Sequence, residues 1–364
     1  MKRVLIPVHW LTDFGGLHEN VLDTAEGLVA GGWQVTIMAP PSKAGARFLA
    51  VGASVVEDSM EDIEASISLA LAKGPFDLVH AHPFQARRVG TAVAEALGIP
   101  LIATIHGQYD DEFAQYSPAV QRIICVASHI ADFVAELCPR LAGKLGVIPN
   151  GVDFDVFSPR DARRDSPRTT IAIASRLDPD KGVLSRAIGD LVDHLAETGS
   201  PNQFELRVAG DRFYGPPANP FTEAIDRAAA SGAVEVVRVG WINDRPALQR
   251  FLATADVVVA PGRAAMEAIT CATPTIAAGS RGYIGLVTGR TLALAHATNF
   301  GGVQQEATAY SLGAIVEHFR QALLMTRTQT VELREQLQKL HDVRSIQAAH
   351  LALCNRLFTS CRAA

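Results

Sequence analysis

The chain predicts an α/β protein built on two doubly wound parallel sheets. Three observations predict it. Short apolar runs alternate with helical patterns along nearly all of the 364 residues, as strands do when helices cover both faces of a sheet. Several runs end in glycine, proline or histidine turns, and open α/β sheets bind ligands at those carboxyl ends. The alternation stops once, in the charged, proline-containing stretch 154–168, and then restarts, as a linker between two domains does. The predicted domains are therefore 1–155 and 169–342, with a final helix over about 343–364.

In the first half the predicted strands are Val4–Val8, Gln34–Met38, Ala53–Val56, Asp77–His80, Leu101–Ile105, Arg122–Val126 and Leu145–Ile148. The helical patterns between them include Leu17–Ala30, Met60–Ala72, Val89–Leu97 and Ala127–Leu137. In the second half the strands are Thr170–Ala174, Glu205–Ala209, Val234–Val239, Val257–Ala260 and Thr275–Ala278. A helix is expected from Arg263 to about Cys271, and Gly279, Gly282 and Gly285 read as a glycine loop after the last strand. From Ser311 the pattern is helical, with Gln329–Leu340 carrying a solvated face and a core stripe.

Composition narrows the function. A 48% hydrophobic content can fill two cores, and a net charge of −5 argues against non-specific nucleic-acid binding. The five cysteines form no C-x-x-C pair, which fits free thiols in a reducing, cytoplasmic setting and argues against zinc. The N-terminal MKRVLIPVHWLTDF reads as a first strand, not a signal peptide, and no apolar run is long enough to span a membrane. A dinucleotide fold would place G-x-G-x-x-G after the first strand; only Gly15-Gly16 is present, several residues late.

The chemistry lies at the turns. After Val257–Ala260 come Pro261-Gly262, then Glu267 one turn inside a helix. Glycines let backbone N–H groups approach an anion, while a carboxylate cannot bind phosphate but can grip a ribose diol. A nucleotide with its sugar is thus expected there; the alternative is an ordinary glycine turn with a glutamate complementing a helix dipole. Arg176 and Lys181 flank the turn after Thr170–Ala174 and can clamp a diphosphate; the alternative is a solvated turn whose cations pair with Asp178 and Asp180. His82 and His106 end neighbouring strand patterns. His106 is a candidate base or hydrogen-bond donor, and His82 is expected to be structural. His80, His82 and His106 match no closed zinc spacing, so no metal site is expected.

These features together resemble the retaining glycosyltransferases of family 4, over nearly the whole length. The glycine pair Gly15-Gly16, the strand-end Ile105-His106-Gly107, and Val147-Ile148-Pro149-Asn150-Gly151-Val152-Asp153 before the linker match in order. So do Ser175-Arg176-Leu177 with Lys181-Gly182, Gly240-Trp241-Ile242, Met266-Glu267-Ala268 and the final helix. The resemblance implies the GT-B fold, two Rossmann-like domains facing across a cleft, the first for acceptor and the second for nucleotide-sugar. It implies that Arg176 and Lys181 stabilise the leaving diphosphate, that Glu267 holds the ribose, and that Gly240 and Ile242 pass the nucleobase. His106, with the loop of Asp13, Gly15 and Gly16, would contact the transferred sugar or the acceptor.

One departure matters. The family's E-x7-E motif keeps only its second glutamate here, Glu267; Gly262 takes the place of the last glycine before it, and the first glutamate has no counterpart. Arg263, Asn299 or the loop ending in Gly285, Leu286 and Val287 is expected to supply the missing sugar contacts. The shortened form also resembles inverting GT-B transferases of the cell-wall lipid type, for which His106 or Asp13 would be the base. The expected activity is sugar transfer from a UDP-sugar to the hydroxyl of a small-molecule or glycan acceptor, with retention and without metal or cofactor. Peripheral contact with a membrane stays open. A sugar-nucleotide epimerase and a non-catalytic nucleotide-sugar-binding subunit are the alternatives.

Overall fold

The computed structural model describes residues 2–10, 15–159, 167–200, 203–212, 215, 219–302 and 310–363. It divides into two compact units, Met1–Gly151 with Val343–Ala364, and Val152–Asp342.

The first unit runs β1 (Lys2–Pro7), α1 (Gly16–Ala30), β2 (Trp33–Ala39), α2 (Gly45–Ala50), β3 (Ser54–Glu57), α3 (Ile63–Lys73), β4 (Leu78–Ala81), α4 (Gln85–Leu97), β5 (Leu101–Ile105), β6 (Val120–Cys125), α5 (Ser128–Leu137) and β7 (Leu145–Val147). Its sheet has the order β3-β2-β1-β4-β5-β6-β7, with every pairing parallel. The central strands β4 and β5 are buried along their whole length, which is why they read as continuous apolar runs. The strand order reverses between β1 and β4, so the loops after those two strands border the switch point where ligands bind.

The second unit runs β8 (Thr169–Ala174), α6 (Gly182–Thr198), β9 (Phe204–Ala209), α7 (Pro220–Ser231), β10 (Val234–Gly240), α8 (Arg245–Ala253), β11 (Val257–Ala260), α9 (Gly262–Thr270), β12 (Thr275–Ala278), β13 (Tyr283–Leu286), α10 (Leu292–Ala297), α11 (Leu312–Leu324) and α12 (Arg327–His341). The sheet order is β10-β9-β8-β11-β12-β13, with its switch point between β8 and β11. Apolar clusters form separate cores: one holds Leu184, Ile188, Phe221 and Ile315, the other Phe157, Met266, Phe300 and Leu337. α12 shows the expected stripe, with Leu333 and Leu337 buried on an otherwise polar helix.

Two sequence expectations shift. The crossing between units lies at residues 151–152, ahead of the charged stretch, because Phe154 and Phe157 are buried in the second core. The glycine loop 279–287 contains a strand: β13 pairs antiparallel with β12, Ile276 facing Leu286 and Ala277 facing Gly285.

α13 (Val343–Ala363) returns to the first unit and lies along α1. The approach is close enough to require glycine. A Cβ on Gly27 would sit 2.7 Å from the Cβ of Gln347, and one on Gly31 would sit 2.4 Å from Cδ1 of Leu351. Lys2 Nζ and Trp33 Nε1 both donate to Asn355 Oδ1, at 2.6 and 3.1 Å.

Candidate functional site

In the second unit a hydrogen-bonded path runs across the carboxyl ends of the strands. Lys181, just before α6, donates from Nζ to Ser280 Oγ at 3.2 Å. The N–H groups of Val183 and Leu184, in the first turn of α6, donate to the carbonyls of Ser280 and Gly279. The turn after β12 is therefore fastened to the start of the helix after β8. Gly279 in turn leaves no room for a side chain, since a Cβ there would meet the Gly301 carbonyl oxygen at 2.2 Å. The 298–302 turn closes the path: Gly262 donates its N–H to the Phe300 carbonyl at 3.1 Å. Asn299 and Phe300 both hold left-handed φ, 50° and 54°, a strained pair of the kind that clusters at binding sites.

The two cations of the first turn are held together. Arg176 pairs with the fully buried Asp178 and reaches Asp180 at 3.4 Å, while Lys181 meets Asp180 at 3.1 Å. Pairing with both aspartates is the alternative weighed from sequence, but the turn is not merely solvated, because Lys181 is only 14% exposed. Burial, and next the Arg176 charge, hold the Lys181 ammonium below its usual range, against the opposing pull of Asp180. An arriving dianion would relieve that strain between like charges.

α9 begins at Gly262 and carries Arg263 and Glu267 one turn apart. Arg263 Nε donates to Glu267 Oε1 at 3.0 Å, and both side chains are 6% exposed. At the far side of the sheet, the Gly240 carbonyl accepts from Gly210 N–H, and the Trp241 N–H donates to Asp211 Oδ2 at 3.0 Å. Ile242 is half-buried against the second core. Asp211 also accepts, through its carbonyl, from Leu177 N–H, so the Gly240 turn and the Arg176 turn are joined. Asp211 and Ser280 were not picked out in the sequence; their positions directly after β9 and β12 were the available signal.

The structure places Gly285, Leu286 and Val287 in and just after a strand rather than in an open loop. Because β13 runs antiparallel, these residues descend away from the carboxyl end of β12, and the Val287 N–H donates to the Thr275 carbonyl at the other end of that strand. Leu286 and Val287 are buried in the two cores. A Cβ on Gly285 would strike the His318 ring at 2.3 Å, so this glycine serves packing.

In the first unit, Gly15 caps α1, and a Cβ on Gly16 would meet nothing within 4 Å among the described residues. Asp13 lies outside the described residues. His106, directly after β5, has its Nε2 2.8 Å from Nδ1 of His82, directly after β4. Its backbone N–H donates to the Tyr109 hydroxyl at 3.1 Å. Burial pushes the His106 imidazole down to about 3, with His350 adding to the effect. Among the described residues no group of three or more His, Cys, Asp or Glu side chains is arranged to hold a metal, and no helix is long and apolar enough to cross a membrane.

Two doubly wound units with their turns gathered at the carboxyl ends of the strands define the GT-B class of fold. Residues 14–156 match the Glycosyltransferase Family 4 model, so the family resemblance holds for the first unit. The fold is shared with a glycosyltransferase from Rickettsia africae, at a TM-score of 0.73, 16% identity and 98% coverage of each chain. It is shared equally with Anabaena HepE, solved in complex with UDP-glucose, at a TM-score of 0.73, 18% identity, and coverage of 98% of this chain and 100% of that one. Among curated proteins, the D-inositol 3-phosphate glycosyltransferase 1 of Catenulispora acidiphila is 28% identical over 254 residues, 59% of this chain and 59% of that protein. The Streptomyces avermitilis D-inositol 3-phosphate glycosyltransferase is 29% identical over 254 residues, 60% of this chain and 54% of that one. The chain thus spans less than two thirds of the length of the curated relatives it matches.

Proposed function

We propose that the chain is a glycosyltransferase that moves a sugar from a UDP-sugar to an acceptor hydroxyl, with retention of anomeric configuration and without metal. The observation that carries the reading is the cation pair Arg176 and Lys181, fastened through Ser280 to the turn after β12, in the same unit as the buried Glu267. A glycosidic C1–O bond breaks as the diphosphate leaves, and the two cations stabilise the charge that develops on it. In the absence of a metal, that stabilisation falls to these side chains. Glu267 holds the ribose, and Gly262 lets the backbone approach the ligand. The first unit takes the acceptor. For retention the acceptor oxygen attacks from the face the diphosphate leaves, and its proton passes to the departing phosphate oxygen.

The relatives support this reading: one shared fold holds UDP-glucose, and the curated proteins are named for transfer to D-inositol 3-phosphate. A small hydroxylated acceptor, phosphorylated or not, is the corresponding proposal here. All five cysteines are free thiols, and a cytoplasmic location is part of the same proposal.

The test is a thermal-shift panel of UDP, GDP, ADP, dTDP and their common sugar conjugates in EDTA, since a ligand of the native state raises Tm by mass action. A shift with UDP and UDP-sugars, lost in Arg176→Ala, supports the donor. Turnover of the stabilising donor with D-inositol 3-phosphate and other polyols then separates an enzyme from a binding subunit. No shift with any nucleotide overturns the donor assignment.

A further inference from the structure

His82 was expected to be a structural histidine, yet it holds the ring that ends the neighbouring strand. β4 and β5 lie side by side in parallel register, with Ala81 opposite Ala103. The residues that follow them bring Nδ1 of His82 to 2.8 Å from Nε2 of His106. At that separation one nitrogen must carry the proton and the other must not.

The surroundings of His82 choose the direction. The side chain is 1% exposed, and its Nε2 has no hydrogen-bond partner among the described residues. Were His82 the acceptor, its own proton would lie on Nε2 as a buried donor with no acceptor among the described residues. Were it the donor, Nε2 would be a bare lone pair. Orphaned buried N–H groups are rarer than under-satisfied acceptors, so His82 donates. His82 and His106 meet edge to edge in nearly one plane, centroids 5.0 Å apart and planes 16° apart, as a ring-to-ring hydrogen bond requires. The His80 ring lies 5.4 Å from that of His82, and the His82 backbone N–H is tied to the Pro7 carbonyl. His80 is fixed in turn by Thr104 Oγ1 at 2.7 Å and by stacking on His350 of α13 at 5.7 Å.

We propose that His82 is a positioning residue whose Nδ1–H occupies the Nε2 lone pair of His106, so that His106 carries its proton on Nδ1 and meets a substrate as a neutral hydrogen-bond donor. The assignment removes His106 from the candidates for a general base, because its one basic lone pair is already taken. The tautomer stands on the geometry alone; the contact of His106 with substrate rests on the proposed glycosyl transfer.

Histidine-selective 15N labelling of the full chain decides the tautomer, because protonated and bare imidazole nitrogens have well-separated shifts in long-range 1H–15N spectra. His106 is identified by its loss in His106→Gln. The expected wild-type result is a protonated Nδ1 and a bare Nε2 for His106, changing toward the Nε2–H form in His82→Phe, which keeps an aromatic ring in place but cannot donate. His82→Asn offers an amide donor near the position of Nδ1 and restores the wild-type pattern. With an active donor and acceptor pair, His82→Phe lowers kcat by about tenfold to a hundredfold, as small misplacements do, leaves the donor KM nearly unchanged, and is rescued by His82→Asn. A wild-type His106 protonated on Nε2, or a tautomer change without loss of kcat, overturns the proposal; if His82→Phe does not fold, the wild-type spectrum alone decides. Absence of turnover in the wild type with every donor overturns the glycosyltransferase reading instead, and the spectra still decide the tautomer.

Discussion

Arg263 and Glu267 form an ion pair one turn apart on α9, with Nε 3.0 Å from Oε1 and both side chains buried. Removing one partner of such a pair leaves a buried charge uncompensated, at a cost of about 3–5 kcal/mol. Arg263→Ala and Glu267→Ala are therefore each expected to lower stability by that order in urea unfolding. The double variant should lose clearly less than the sum of the two. Additive losses would show that the pair is not coupled. The pairing also means that Arg263→Ala cannot be read as loss of a sugar contact alone, because it disturbs the proposed ribose ligand as well.

Asp180 accepts from both Arg176 and Lys181 and is 37% exposed. A diphosphate bound by these cations competes with this carboxylate. Asp180→Asn should tighten UDP binding by about twofold to fivefold, the range set by exposed ion pairs, as read by titration calorimetry. Unchanged or weaker binding would remove the two cations from the phosphate site.

Gly262 opens α9 at φ 51°, where the nearest atom to an added Cβ is the Asn299 carbonyl oxygen at an ordinary 3.7 Å. Gly262→Ala should therefore fold, with a loss of about 1–2 kcal/mol for left-handed backbone. On the proposed reading the new methyl would stand where the nucleotide approaches. UDP-induced stabilisation is expected to disappear while Tm without ligand falls only a few degrees. A full UDP shift in this variant would place the nucleotide elsewhere.

Burial holds His106 down at about 3 and His350 at about 4, against an ordinary 6.5, and His80 and His82 are depressed in the same direction. The unfolded chain consequently binds more protons than the folded one below pH 6.5. Stability is complete above that pH and falls as pH drops toward 4, by about 1.4 kcal/mol per histidine per pH unit. Urea unfolding between pH 7 and 4.5 should show a steep loss, shallower in His350→Phe. A flat profile from pH 6.5 to 5 would mean that these rings protonate without unfolding.

Most strands were legible because buried parallel strands are written as apolar runs, and the site turns were legible because they follow those runs. What the sequence hid was pairing over distance. Tyr283–Leu286 has glycines near both its ends and within it, so its antiparallel pairing with β12 could not be told from a loop, nor could the burial of the Leu286 and Val287 side chains. His82 and His106 were both visible at strand ends, but only the adjacency of β4 and β5 makes them partners. Phe154 and Phe157 lie at the start of a charged segment, and what places them in the second core is packing, which local composition does not record.

The return of α13 to α1 orders the birth of the molecule. Residues 343–363 lie further along the chain than all of the second unit, so on the ribosome α1 waits with the bare backbone of Gly27 and Gly31 uncovered until they emerge. The first unit therefore cannot finish packing until residues 343–363 have emerged, although the rest of it is made first.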